Sequence, residues 1–201
     1  MPLSSVQHGR IGENEAWKYI TLTSDGELEA DLPASDDEAR DADIHERGHY
    51  GTSIGLQIKE SMTIYHDRGK KAPMLAIEFR SRHPVLVSHP LYWFLFAFFD
   101  LQTMTFRDPL FLIPSEFLFA HIATLPIKGG KEIHFLFRGN MSPDSHDMWA
   151  PYRVSCRDLG PRLLQILHEA EQSQKATRFP DDFTVEPRTI WVARRRLHKV
   201  V

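Results

Sequence analysis

The sequence predicts one domain of mixed helix and strand, in the α/β or α+β class. Several segments alternate apolar and polar residues, or form short runs of β-branched and aromatic residues, as strands do. After residue 158, apolar residues instead recur at helical spacing. A length of 201 residues suits a single domain with a tail, and an apolar fraction of 42% is ordinary for a globular protein.

The N-terminal part of the chain carries little predicted regular structure. Residues 1–10 are predicted as a leader, and residues 11–22 predict a short helix that carries Glu13 and Glu15. Residues 25–41 are acidic and poor in large apolar side chains. This composition predicts an insert that is loop or partly disordered.

Two short strands are predicted over residues 41–61, around a turn that contains Gly48 and Gly51. In the second strand, aliphatic residues alternate with polar or small ones. Alternation with a period of two places Gln57 and Lys59 on one face of that strand, with the aliphatic side chains on the other face.

Further elements follow toward the C-terminus. Strands are predicted over residues 74–79, 92–99, 109–114, 132–139 and 148–155. Ser115 is predicted to cap a helix, and a longer amphipathic helix is predicted from Asp158 onward. We expect the strands over 41–61, 74–79, 92–99 and 109–114 to form the centre of one sheet.

Cysteine usage and hydropathy exclude several classes of protein. The single cysteine, Cys156, excludes a disulfide scaffold and a cysteine-only zinc site. The longest apolar run, residues 91–99, is too short to span a membrane as a helix, which needs about 20 residues. The N-terminus also lacks the apolar core of a signal peptide, so the sequence predicts a cytoplasmic protein with no membrane partner.

The net charge of −3 hides an asymmetry along the chain. Residues 1–46 hold 3 basic and 12 acidic residues, a balance of −9, whereas residues 47–201 hold 21 basic and 15 acidic residues, a balance of +6. The net charge therefore does not exclude a nucleic-acid partner. It predicts weak, salt-sensitive affinity unless the acidic segment lies clear of the binding face.

Asp43, Gln57 and Lys59 form the first candidate site. Asp41 and Asp43 share one face of their strand, so pairing of the two strands would bring a carboxylate, an amide oxygen and an ammonium together. Mg²⁺ prefers oxygen ligands and activates water, and a lysine stabilises charge that develops on phosphate. The same residue types also occur on an ordinary solvated strand face, so spacing alone leaves both interpretations open.

The sequence resembles the PD-(D/E)XK nuclease superfamily, and is most similar to uncharacterised prokaryotic domains with a Q-x-K motif. The similarity lies in the stretches DADIHER, SIGLQIKES, YWFLFAFFD and PLFLIPSEF. It implies a restriction-endonuclease-like α/β fold, with a central mixed β-sheet flanked by helices, and a metal-dependent nuclease that acts on DNA.

The resemblance also implies roles for particular residues. Asp43, Gln57 and a carboxylate of the preceding helix, Glu15 or else Glu13, would hold Mg²⁺ or Mn²⁺. Lys59 would be the catalytic lysine, acting with these ligands. Gln57 stands where the superfamily usually has a second acidic residue. The site would then carry one negative charge fewer, which implies a lower metal affinity.

A second candidate site overlaps the first. His45, Glu46 and His49 match the H-E-x-x-H pattern, which on a helix binds zinc and supplies a general base. The glycines at 48 and 51 favour a turn instead, which would make the match fortuitous. A helix over residues 40–50 would therefore favour a zinc hydrolase, and a hairpin would favour the nuclease.

The C-terminal tail is a third feature. We expect the folded domain to end near residue 175 and the tail to cover residues 176–201. Its basic side chains include Arg194, Arg195, Arg196 and Lys199. They would bind nucleic-acid phosphates through charge, although they equally suit a solvated surface.

These features leave two hypotheses on the same fold, a DNA nuclease and a non-catalytic nucleic-acid-binding module. The substitution of a neutral Gln57 at an acidic position motivates the second. DNA is the expected partner in both. A homodimer and partner proteins of a defence or repair system stay open.

Overall fold

The computed structural model describes residues 5–33, 40–66, 72–82, 88–125 and 132–173. The helices in these ranges are α1 (Ser5–Thr23), α2 (Ser115–His121) and α3 (Leu159–Gln172). The strands are β1 (Leu28–Asp31), β2 (Ala42–Glu46), β3 (His49–Ser61), β4 (Ile64–His66), β5 (Pro73–Arg82), β6 (Tyr92–Asp100), β7 (Thr105–Pro114), β8 (Ala123–Leu125), β9 (Glu132–Asn140) and β10 (Arg153–Val154).

The larger sheet has six strands in the order β1-β2-β3-β6-β7-β10. Strands β3 and β6 run parallel, and the other neighbours are antiparallel, so the sheet is mixed. The hairpin of β2 and β3 closes at Gly48, whose φ of +77° lies in the left-handed region that glycine tolerates best. The α/β class and the mixed sheet predicted from the sequence are confirmed.

A second sheet has four antiparallel strands in the order β4-β5-β9-β8. The predicted strand over residues 74–79 belongs to this sheet, as part of β5, and not to the centre of the first one. The expectation of one sheet containing all four central segments was therefore wrong. Alternation shows which side chains share a face, but it does not show which strand is the neighbour.

Two apolar cores lie on opposite faces of the six-stranded sheet. On one face, α1 and α3 cover aliphatic residues such as Ile54, Leu56 and Leu95. On the other face, aromatic residues of β6 and β7 pack against β5, β9 and α2. The helices α1 and α3 thus cover one face, and the second sheet with the short α2 covers the other.

Several predicted elements differ from the structure at the N-terminal end. Helix α1 begins at Ser5, so it includes part of the predicted leader. The acidic insert contains a strand, β1, which pairs with β2. Residues 28 and 30 of β1 face the helices, and its charged residues face the other way, which explains how so acidic a stretch forms a strand.

The C-terminal elements show smaller differences. Ser115 does not cap α2 by its side chain; its Oγ instead donates to His89 O at 3.0 Å and accepts from His89 N at 2.9 Å. The predicted strand over 148–155 is mostly a 3-10 turn, and only Arg153–Val154 pairs, at the edge next to β7. The predicted tail over 176–201 lies outside the described residues.

Candidate functional site

The β2–β3 hairpin positions the polar residues of the first candidate site. Its register pairs Ala42 with Leu56 and Asp43 with Gly55, so Asp41 lies opposite Gln57. The Asp41 N–H donates to Leu56 O at 2.8 Å, and its Oδ2 accepts from the Ile58 N–H at 2.5 Å. The carboxylate directly opposite Gln57 in this ladder is therefore Asp41, whereas the resemblance implied Asp43.

Asp43 lies on the same face, one step further along β2. Its Oδ2 is 3.1 Å from Nη2 of Arg40, a residue that is only 7% exposed. A buried guanidinium needs a carboxylate nearby, because an unpaired charge in the interior is costly. The structure thus gives Asp43 the role of counter-ion for Arg40, and its role as a metal ligand stays a prediction.

Gln57 is fixed by a buried phenol. The Tyr92 O–H donates to Gln57 Oε1 at 2.9 Å, and Tyr92 is 2% exposed. Burial raises the pKa of Tyr92 well above its usual value, and the charge of Asp41 adds to that rise while Arg40 opposes it. The phenol is therefore neutral at physiological pH and carries the proton that it donates to Gln57.

Lys59 lies in a cleft of about 620 Å³ at the end of β3. The cleft is lined by α1, by the end of β3 with the residues that follow it, and by β5, and Glu13 and Glu78 contribute acidic groups. Among the described residues, no carboxylate lies within 4.0 Å of the Lys59 ammonium. An ammonium that is not neutralised by an ion pair is available to an anion that enters the cleft.

The helix carboxylates occupy different surroundings. Glu13 lines the cleft that contains Lys59. Glu15 is buried, and its Oε1 accepts from Thr105 Oγ1 at 2.6 Å, from Lys18 Nζ at 2.6 Å and from the Phe106 N–H at 3.3 Å. Glu15 therefore ties α1 to the start of β7, while Glu13 is the helix carboxylate that shares the cleft with Lys59.

Glu60 follows Lys59 and projects toward α1. A Cβ at residue 12 would lie only 2.5 Å from Glu60 Oε2. The close approach of α1 to this carboxyl therefore depends on the absence of a side chain at Gly12. Burial raises the pKa of Glu60, although its own backbone hydrogen bond and the charge of Lys59 oppose the rise. The carboxyl is thus easier to protonate than an exposed glutamate.

The structure contradicts the geometry required by the zinc motif. His45 lies in β2 and pairs with Ser53, whereas His49 begins β3 and pairs with Glu46. A turn separates the two strands, so the two histidines do not share a helix face. His45 lies between Glu29 Oε2 at 3.6 Å and Asp31 Oδ2 at 3.7 Å. The hairpin predicted over residues 41–61 is confirmed, and the helix that the zinc alternative required is not formed by residues 40–50.

The carboxylates of the cleft fit a hard cation only in part. Within the ranges that the structure describes, no three His, Cys, Asp or Glu side chains form a group that could hold a metal ion. Mg²⁺ needs fewer protein ligands, because it commonly binds one or two carboxylates together with water and substrate phosphates. Glu13 in the cleft and Asp41 on the strand beside it are oxygen donors of the right chemistry for such an open site.

The remaining site residues predicted from the sequence belong to the C-terminal tail. Arg194, Arg195, Arg196 and Lys199 lie outside the described residues. No helix in the described part of the chain is long and apolar enough to cross a membrane.

Comparison with known proteins gives similarity to solved structures only. No protein-family model matches the sequence, and no curated protein matches it. Among solved structures, the chain is similar to a bacterial homing endonuclease, I-Ssp6803I, with 12% sequence identity and a TM-score of 0.48. The match covers 85% of this chain and 99% of that chain. A similarity of this degree does not define the activity of the chain.

Sequence reasoning missed two residues of the site. Asp41 and Asp43 share a face, and only the register of the hairpin shows that Asp41 is the one opposite Gln57. Tyr92 begins an apolar run that predicts core packing, so its hydroxyl carried no visible functional signal. The available indication was the Tyr92 hydroxyl itself, at the edge of this run, because a buried Tyr hydroxyl usually has a hydrogen-bond partner.

Proposed function

We propose that this protein hydrolyses phosphodiester bonds of DNA in the cleft at the end of β3. The observation that carries the proposal is the position of Lys59, which lines a cleft together with Glu13 and, by the register of the hairpin, shares a sheet face with Asp41. Cleavage of a phosphodiester needs positive charge near the phosphate and carboxylates for a hard cation. Lys59 and Glu13 line this cleft, and Asp41 lies on the neighbouring strand opposite Gln57.

In the proposed mechanism, Asp41 and Glu13 would hold Mg²⁺ or Mn²⁺. The sequence-based set of Asp43, Gln57 and Glu15 is less favoured by the contacts that those side chains make. When bound, the cation polarises the phosphate and lowers the pKa of a water molecule. Lys59 stabilises the negative charge that develops on the phosphate. The Ile58 N–H holds the Asp41 carboxylate in place.

Cleavage assays test this proposal. Wild type, Lys59→Ala, Asp41→Ala and Asp43→Ala are incubated with plasmid and linear DNA and Mg²⁺ or Mn²⁺. We expect Lys59→Ala and Asp41→Ala to lower the rate at least about 100-fold, as loss of a charge-stabilising group commonly does. Arg162→Ala is the matched control, since Arg162 lies on α3 and only approaches Glu169. It should cleave as fast as wild type.

The outcomes of this assay separate the candidate sites. Equal rates for wild type and Lys59→Ala would reject the assigned site, and a wild type that never cleaves would reject the nuclease. A larger loss in Asp43→Ala than in Asp41→Ala would restore the sequence-based assignment.

A non-catalytic DNA-binding module is the second candidate function. It is favoured by the hydrogen bond that occupies Gln57 Oε1 and by the lack of a three-ligand group among the described residues. This candidate predicts salt-dependent retention of DNA that survives Lys59→Ala, with no turnover in any metal. Absence of retention at low salt would remove it.

A further inference from the structure

We infer that Gln57 contacts the DNA phosphate through its amide nitrogen and is not a metal ligand, with Tyr92 as the positioning residue. The inference rests on the proposed function and assigns a specific task to a residue that lies beside that cleft, on the same strand face as Lys59. It reverses the role that the Q-x-K resemblance implies, in which the amide oxygen coordinates the cation.

The direction of the Tyr92 hydrogen bond sets the orientation of the amide. An amide has an acceptor oxygen on one side and two N–H donors on the other. The neutral Tyr92 hydroxyl donates to Gln57 Oε1 at 2.9 Å, so the oxygen points toward the buried phenol. Rotation of the amide by half a turn would place its NH₂ group there, and the phenol proton would lose Gln57 Oε1 as its acceptor.

The phenol itself has little freedom to move. Tyr92 is 2% exposed, and its ring makes an edge contact with Phe94 at a centroid distance of 5.2 Å. Its hydroxyl is close enough to Asp41 and Arg40 for their charges to shift its pKa in opposite directions. Loss of the hydrogen bond to Gln57 would take one partner from the buried Tyr92 hydroxyl, and such a loss costs free energy.

The amide nitrogen remains available for a ligand. Gln57 is only partly buried, and no hydrogen bond of its Nε2 is formed with any residue that the structure describes. Lys59 lies two residues further along the same face of β3, and its ammonium lines the cleft. Two N–H donors beside an ammonium form a suitable set for the non-bridging oxygens of a phosphodiester.

A cation at Gln57 would have to share the amide oxygen with Tyr92. One of the two lone pairs of that oxygen already accepts from the phenol, and a neutral amide adds no charge to attract the cation. An N–H donor to a phosphate needs no such rearrangement. The arrangement therefore favours the anion over the cation at this residue.

Binding measured without metal tests the inference apart from activity. Fluorescence anisotropy with a labelled DNA duplex in EDTA at low salt compares wild type with Gln57→Ala, Gln57→Glu and Tyr92→Phe in the full chain. We expect a loss of about tenfold for Gln57→Ala, as a hydrogen bond to a charged group predicts. Gln57→Glu should lose more, because a carboxylate repels phosphate. Tyr92→Phe should lose severalfold, since the amide is then free to turn.

Metal binding and a matched control complete the test. Electron paramagnetic resonance of Mn²⁺ without DNA should give the same affinity for wild type and Gln57→Ala. Tyr65→Phe, on an exposed residue of β4, should bind DNA as wild type does. Thermal melting identifies any variant that fails to fold. If Tyr92→Phe fails to fold, the DNA affinity of Gln57→Ala alone decides whether Gln57 contacts the phosphate.

Two results would overturn the inference while leaving the proposed function intact. One is unchanged DNA affinity of Gln57→Ala in EDTA, and the other is loss of Mn²⁺ binding in that variant. A wild type that neither binds nor cleaves DNA would instead reject the proposed function, and the inference with it.

Discussion

Cys156 shows how one residue's surroundings determine its chemistry. The thiol is buried and lies 3.8 Å from Phe106 O, and its own backbone N–H donates to Asp108 Oδ1 at 2.6 Å. Burial, together with a hydrogen bond between the thiol and the Asp108 side chain and the negative charge of Asp108, raises the pKa of Cys156 to about 12. Because the thiolate is the nucleophile, this cysteine should be inert near neutral pH.

Alkylation by iodoacetamide measures this prediction. At pH 8 the native protein should react far more slowly than protein unfolded in guanidinium, and the native rate should keep rising up to about pH 12. The raised pKa also lowers stability as pH rises above about 9, since the unfolded thiol ionises first. A native rate that levels off near pH 9 would contradict the buried position. Cys156→Ser should leave DNA binding unchanged.

The residue scale also shows what alternation alone could predict. The period-two pattern correctly placed Gln57 and Lys59 on one strand face, with Asp41 and Asp43 on one face of the neighbouring strand. The choice between the two carboxylates depended on the hairpin register, which is set by the turn and by a shift between His45 and Glu46. Local sequence does not specify such a shift.

At the scale of elements, α1 and α3 approach each other closely where α3 begins. The Gly160 N–H donates to Thr23 Oγ1 at 2.9 Å. A Cβ on residue 160 would lie 2.5 Å from Ser24 N and 2.7 Å from Thr23 C. These are backbone atoms, which cannot move away by a change of side-chain rotamer. Only a residue without a side chain permits this approach of the two helices.

We therefore predict that Gly160→Ala destabilises the protein by about 1–3 kcal/mol, the usual cost of overpacking a core. Urea unfolding measured by circular dichroism gives the free energy of unfolding. Gly51→Ala is the matched control, because nothing lies within 4 Å of a Cβ there. Its free energy of unfolding should stay within about 0.5 kcal/mol of wild type, as for most surface changes. Equal values for both variants would contradict the close helix contact.

The same scale explains which elements the sequence predicted. Long patterns such as the aromatic run of β6 and the helical spacing of α3 predicted their elements almost to the residue. Strand β1 was missed because two of its four residues are acidic, and its pairing with β2 outweighs that composition. The second sheet was missed because β5 and β9 form a pair far apart in sequence, which local patterns do not report.

At the scale of the whole molecule, β6 belongs to both cores. Its Phe94 and Phe96 pack between the two sheets, while Leu95 and Ala97 pack under α1 and α3. Phe96 stacks on Phe137 of β9 at a centroid distance of 4.1 Å. Because one strand forms a wall of each core, loss of either core exposes the other. The described domain should therefore unfold in one cooperative transition.

Phe137→Ala tests whether the two cores unfold together. The change should lower the free energy of unfolding by about 3–5 kcal/mol, the usual cost of removing a buried phenylalanine side chain. Hydrogen exchange measured by mass spectrometry should show equal losses of protection in β9 and in α3, although α3 lies on the opposite face of the sheet. Leu22→Ala, at an exposed position of α1, should change neither the free energy of unfolding nor the protection of these elements. Unchanged protection of α3 in Phe137→Ala would show that the two cores unfold separately.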